Sequence, residues 1–205
     1  MKKLMLSAAA LVLFCCSKEE SKQEAKSGGL SDVVSNVKNY SKINSSVQDV
    51  SKNIETLKKM TPLTNEELKA LLPEEILGLK RKELSVGDNA MMQLASAEAK
   101  YSDGDQKKIK LEIMDGAGET GSAMVSILMM SFNMNKEKIT ETGYEKTAEI
   151  NGNKAIIKEN SGENYVNSSI QMVAKNRYLI TLTGDGISYD DLEKALNQLK
   201  LSQLK

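Results

Sequence analysis

Tyr144-Glu145-Lys146-Thr147-Ala148-Glu149-Ile150-Asn151-Gly152-Asn153-Lys154-Ala155-Ile156-Ile157-Lys158-Glu159 is the stretch that decides the fold class. Two strand-like runs, Tyr144 to Ile150 and Lys154 to Glu159, flank Asn151-Gly152-Asn153. Asn and Gly tolerate the positive φ of a tight hairpin turn, so the two runs read as paired antiparallel strands. Downstream, Ser161-Gly162 turns the chain again. Tyr165 to Ala174 and Arg177 to Thr183 form a second hairpin around Lys175-Asn176. A last helix starts at Ser188, with Asp191 three residues on as its capping partner. Leu192, Ala195, Leu196 and Leu199 make its apolar stripe.

Upstream, Ser122 to Met134 reads as a Met-rich apolar helix, preceded by a loop over Gly116 to Gly121. Before that loop the period is again two. Ala95, Ala97, Ala99 and Tyr101 alternate with Ser96, Glu98 and Lys100, while Ile109, Leu111 and Ile113 alternate with Lys108, Lys110 and Glu112. Asp103-Gly104 joins them as a hairpin with one apolar face. Leu79 to Val86 reads as the first strand. Thr64-Asn65-Glu66-Glu67 is a capping box that opens a short helix, Asn65 to Leu72, stopped by Pro73. Tight turns forbid parallel pairing of successive strands. The expectation is an α+β domain over residues 64–205, an antiparallel sheet packed by helices and preceded by a long N-terminal helix.

That helix is expected over residues 30–60, which hold no Gly and no Pro and end at Thr61-Pro62. One heptad register puts Val33, Tyr40, Val47 and Ile54 at a, and Asn36, Ile43, Val50 and Leu57 at d. Two readings stand side by side: a self-associating stalk that makes a homo-oligomer, or an amphipathic helix lying on its own domain.

Composition removes whole classes of function. The 205 residues contain no His and no Trp, and the two Cys are adjacent at Cys15 and Cys16. There is no Ser-His-Asp triad, no Cys-His pair, no imidazole ligand and no Cys-rich zinc site. Lys and Arg number 28 against 28 Asp and Glu, which gives no basic excess for nucleic acid.

Met1 to Cys16 has the parts of an export signal: Lys2 and Lys3, then the apolar run Leu4 to Phe14. The run is too short to cross ~30 Å of hydrocarbon. Leu13-Phe14-Cys15-Cys16 resembles a bacterial lipobox. The resemblance implies cleavage after residue 15 and acylation of Cys16. Ser17-Lys18-Glu19-Glu20 resembles the surface-export signal of bacteroidete lipoproteins. It implies an outer-membrane location on the outward face. Ser21 to Gly29 has no large apolar residue and reads as the rest of a flexible tether over 16–29. Removing Lys2 and Lys3 with the leader turns the 28 basic residues into 26 against 28 acidic, so the acyl group would anchor without electrostatic help.

The globular part resembles a group of uncharacterised bacterial PsbP-like α/β sandwich domains. Leu72-Pro73, Gly143 to Ala155 and Arg177 to Ser188 carry that resemblance. It implies a fold and brings no catalytic residues.

No catalytic residue, metal ligand or cofactor is expected. Ser35-x-x-Lys38 and Ser202-x-x-Lys205 have a Ser-Lys spacing, and both fall outside a plausible site. Asp103, Asp105, Asp185, Asp190 and Asp191 sit at turns and a helix start, where Asp is favoured for local reasons. Gly116-Ala117-Gly118 with Gly121 has neither Rossmann nor Walker spacing. Met124, Met129, Met130, Phe132 and Met134 are read as core filler or as a pliable apolar groove for a ligand or partner. The function expected is a membrane-anchored, non-enzymatic binding module, its partner a protein or a small apolar ligand. An Asp/Glu-dependent hydrolase or carbohydrate-active accessory protein and a stalk-mediated oligomer are the alternatives. Cys16→Ala should move the protein out of the membrane fraction; an unchanged distribution on cell fractionation would refute the acyl anchor.

Overall fold

In the computed structural model, residues 48–89, 94–104, 106–201 and 204 are described. They begin with a helix over 48–58 (α1). Then come α2 (Asn65–Ala70), β1 (Glu75–Ile76), β2 (Leu79–Asn89), β3 (Leu94–Ser102) and β4 (Lys108–Asp115). After α3 (Gly118–Phe132) follow β5 (Glu137–Thr140), β6 (Gly143–Ile150), β7 (Asn153–Ser161), β8 (Val166–Ala174), β9 (Tyr178–Asp185) and α4 (Tyr189–Gln198). The architecture is α+β, a large antiparallel sheet packed by helices.

The sheet order is β1-β2-β3-β4-β9-β8-β7-β6-β5. Two meanders therefore run in opposite directions from the centre. Helix α3 carries the chain from β4, in the middle, to β5 at the far edge, and the second meander returns until β9 pairs with β4. The turns that make the meanders are local. Asn151 and Gly152 both have positive φ (51° and 74°), as do Lys175 and Asn176 (55° and 54°).

Strict alternation divides the sheet into two unlike faces. One face carries Val86, Ala97, Ile113, Ile180, Met172, Ala155 and Ala148 in register across seven strands. The next row includes Ala99, Leu111, Leu182, Ile170 and Ile157. Helix α2 lies against β2 and β3, and α4 against β7, β8 and β9. Leu68 of α2 and Leu192, Ala195 and Leu196 of α4 join that core. Both helices are capped as their sequences imply. Thr64 and Glu67 make the reciprocal box, and Ser188 Oγ accepts from Asp191 N at 3.3 Å.

The opposite face is apolar only at one end. There Val173, Leu179 and Ile156 meet Val125 and Phe132 of α3 and Leu57 of α1. Val50 and Leu57 are buried, so over 48–58 the heptad seam lies on the chain's own domain. The rest of the 30–60 segment lies outside the described residues.

The joint between the meanders is held by a buried ion pair. Asp115, at the end of β4, has no exposed side-chain surface, and Arg177 just before β9 keeps 11%. Arg177 Nε and Nη2 donate to the two carboxylate oxygens at 2.6 and 2.7 Å. Asp115 also accepts from Leu63 N at 2.8 Å and from Ala117 N at 3.0 Å. Arg177 Nη2 in turn donates to Thr61 O at 3.2 Å.

Three features differ from the sequence expectation. Helix α3 begins at Gly118, four residues before Ser122, because the glycines serve packing. A Cβ at Gly116 would stand 2.5 Å from Arg177 O, and one at Gly121 would stand 2.7 Å from Asp115 O. The short helix α2 ends at Ala70, two residues before Leu72. Strands β1 and β5 extend both edges; all four β5 residues are exposed, so no burial pattern marks them. Asp115→Ala should lower stability by about 3 kcal/mol, because it strands a buried guanidinium and two backbone N–H groups. A urea midpoint equal to that of the parent would show that the pair is not the joint.

Candidate functional site

Away from α3, the second sheet face is lined by polar side chains with no helix over them among the described residues. One row runs Ser85, Glu98, Glu112, Thr181 and Gln171 across β2, β3, β4, β9 and β8. The next runs Lys100, Lys110, Thr183, Ser169, Lys158 and Glu145. These residues are the polar half of the alternation whose apolar half builds the core.

Where the polar rows meet the apolar end of the face, a cleft of about 610 Å³ opens. Ser96, Glu98, Glu112, Gln171 and Thr181 supply its polar wall, and Leu94, Met114 and Leu179 its apolar end. Glu98 and Glu112 are direct cross-strand partners. Lysines separate their charges. Lys110 Nζ lies 2.9 Å from Glu112 and 4.0 Å from Glu98, and Lys100 Nζ lies 2.7 Å from Glu83 and 3.8 Å from Glu98. The Glu83 carboxylate raises the Lys100 ammonium above its ordinary value. All of these groups remain partly in water, so the lattice adds little stability. It does present acceptors and donors at fixed spacing.

The cleft tests the glycosidase alternative. Paired carboxylates doing that work need one desolvated acid facing its partner. Glu98 and Glu112 keep 35% and 41% of their side-chain surface and each faces a lysine, so neither is desolvated. Of the turn and helix-start aspartates, Asp103 and Asp191 are engaged locally, and Asp105 lies outside the described residues. Asp103 Oδ1 accepts from Lys107 N at 3.1 Å, and Asp191 pairs with Lys194 at 2.8 Å. No group of three metal-ligating side chains occurs among the described residues. At the N-terminus of α3, the Asp115 carboxylate already takes the Ala117 N–H. A phosphate there would meet a buried negative charge.

A second depression of about 570 Å³ lies over β5 to β8. On its wall Glu145 bridges Lys136 and Lys158 at 2.8 and 2.9 Å. Hydrogen bonds from those two ammonium groups hold its carboxyl at about 2 against an ordinary 4.5.

The five residues singled out as an apolar groove do not share one surface. Met129 and Phe132 line a cavity of about 270 Å³ together with Val50 and Val173. Met124, Met130 and Met134 are exposed. Asn53 Nδ2 donates to Asn176 O at 2.7 Å and so ties α1 to the β8–β9 turn beside that cavity. Cys16, Ser17, Lys18, Glu19 and Glu20, the leader, the tether and both Ser-Lys spacings lie outside the described residues. No helix among the described residues is long and apolar enough to cross a membrane.

The Glu98–Glu112 cleft was not singled out from sequence. Its signal was present, since both residues occupy polar positions of alternating strands. What period alone could not show is that no helix among the described residues covers this part of the face. No protein-family model, curated protein or solved structure matches the chain.

Because folding depresses the Glu145 carboxyl, its contribution to stability is complete above the unfolded value near 4.5 and is lost as pH falls toward 2. Glu145→Gln should therefore narrow the difference in urea midpoint between pH 7 and pH 2.5. An identical difference in variant and parent would show that the bridge carries no linkage.

Proposed function

We propose that this chain is a lipoprotein, anchored to the outer membrane through acylated Cys16 and facing outward, that works as a non-enzymatic binding module. The observation that carries the binding role is the polar half of the sheet, left open by the described helices, with its amphiphilic cleft. A rigid antiparallel sheet holds the cleft residues in place, and rigid elements place contact groups better than loops do. Glu98 and Glu112 favour a donor-bearing ligand, Gln171 and Thr181 add neutral hydrogen-bonding groups, and Met114 and Leu179 accept an apolar arm. The ligand class that fits is a small amine or amino sugar with an apolar substituent, free or displayed on a partner.

The anchor and export readings rest on Leu13 to Glu20. The tether over 16–29 would give the domain reach, and the amphipathic segment from residue 30 joins it to the described helix α1. The PsbP-like reading of the fold is supported by helices on both faces of an antiparallel sheet.

Titration of the isotope-labelled chain Ser17–Lys205 with hexylamine, glucosamine and glucose tests the cleft. The two amines should shift the backbone amides of Gln171 and Thr181, glucose should not, and Glu112→Gln should abolish the shifts. Amide shifts absent from the cleft with every probe would overturn the binding role.

A further inference from the structure

Helix α1 docks on the domain but leaves a space at one end. Leu57 joins the cluster of Val125, Phe132 and Val173. At the Val50 end a cavity of about 270 Å³ remains between α1, α3 and the β6–β7 and β8–β9 turns. It shares no lining residue with the Glu98–Glu112 cleft. Its floor is apolar: Val50, Phe132 and Val173 are buried and Met129 is half-buried. Its rim is polar and carries one full charge of each sign, Asp49 from α1 and Lys154 from β7, with Asn133 at the end of α3 beside them. A gap left by poor packing is apolar and stays dry. An apolar floor with a few polar groups at the mouth is the form of a ligand site.

The walls are held in place before any ligand arrives. Asn53 Nδ2 donates to Asn176 O at 2.7 Å and fixes α1 against the β8–β9 turn. Asn153 Nδ2 donates to Asn151 O at 3.0 Å and closes the β6–β7 turn. The two charges remain available. Lys154 Nζ donates to Asn133 Oδ1 at 2.6 Å, a neutral acceptor, and an ammonium has three donors. Asp49 has no ion-pair partner among the described residues.

We propose that this cavity binds a free apolar α-amino acid, with its carboxylate on Lys154, its ammonium on Asp49 and its side chain on the Val50, Met129, Phe132 and Val173 floor. Size limits the occupant. The volume lies just below the ~300 Å³ at which ligand pockets usually begin, so the site takes one small molecule and excludes a longer chain. Charge selects it. The terminal residue of a peptide offers only one of the two charges beside its side chain, a fatty acid offers a carboxylate alone, and a plain amine offers an ammonium alone. A free amino acid satisfies both ends of the rim at once. Charge-assisted hydrogen bonds are about twice as strong as neutral ones, so the carboxylate gains from Lys154 what Asn133 cannot supply. The flexible Met129 thioether adapts the floor to side chains of different shape.

Titration of the isotope-labelled chain Ser17–Lys205 with L-leucine, leucinamide, N-acetylleucine and glycine tests the assignment, read at the backbone amides of Gly152, Asn153 and Asn176. Leucine should shift these amides. The other three lack the carboxylate, the ammonium and the side chain in turn, and each should bind about fivefold more weakly or worse. Lys154→Gln should weaken leucine by about fivefold or more and leave leucinamide unchanged. Asp49→Asn should weaken leucine and leave N-acetylleucine unchanged. Both side chains are exposed, so neither substitution threatens the fold. Cavity amides that leucine leaves unmoved would overturn the proposal. Leucine shifts confined to Gln171 and Thr181 would do the same, by assigning it to the cleft as one more amine. So would equal binding of all four probes, or variants that weaken every probe alike or none.

Discussion

The Asp115 carboxylate is the point on which the rest of the molecule turns. A fully buried charge is tolerated only when paired and hydrogen-bonded. Here four N–H groups surround it, from Arg177 Nε and Nη2, Leu63 and Ala117. Those donors come from three different places: the residue before β9, the linker between α1 and α2, and the N-cap of α3, all brought to the end of β4. Arg177 completes the cluster by donating to Thr61 and by stacking on the Tyr178 ring at 4.9 Å. One buried ion thus sets where the meanders meet, where α3 departs and how the N-terminal linker enters.

From that joint follows the inequality of the two sheet faces. Helix α3 leaves β4 at Asp115 and must reach the far edge, so it crosses the second face near one end. The side chains beneath it are apolar, and those beyond it are Glu, Lys, Thr, Ser and Gln. The first face, by contrast, is closed by α2 and α4 over a continuous apolar core. The polar surface and the stability core are therefore opposite sides of the same strands. The polar side chains of the second face can be exchanged without disturbing the packed rows beneath them, which is how a stable scaffold carries a variable site.

Local chemistry was legible in the chain. Asn151-Gly152 and Lys175-Asn176 adopt the positive φ values their turns demand, and Thr64 and Ser188 cap the helices they precede. The apolar stripe of α4 is buried as its spacing implies. Other elements were not legible, for stated reasons. Strand β5, Glu137-Lys138-Ile139-Thr140, is exposed on both sides and exists because β6 pairs with it. Strand β1 has only two residues. The glycines at 116, 118 and 121 look like a loop because they are poor helix formers; 116 and 121 are required by close backbone approach at the joint, and 118 by its φ of 85°.

By itself the sequence determined the hairpins, the caps and the alternation that makes one face apolar. Each of these depends on residues a few positions apart, whose steric and hydrogen-bonding preferences act within the turn or helix they form. Only the tertiary structure decided that β4 and β9 are neighbours, that Asp115 meets Arg177 across 62 residues, that Glu98 and Glu112 line a cleft, and that Ile127 and Met130 of α3 are exposed while Phe132 is buried. Those outcomes depend on how the strands and helices pack once every strand has found a partner. That is a property of the whole packed chain, and no local window of sequence contains it.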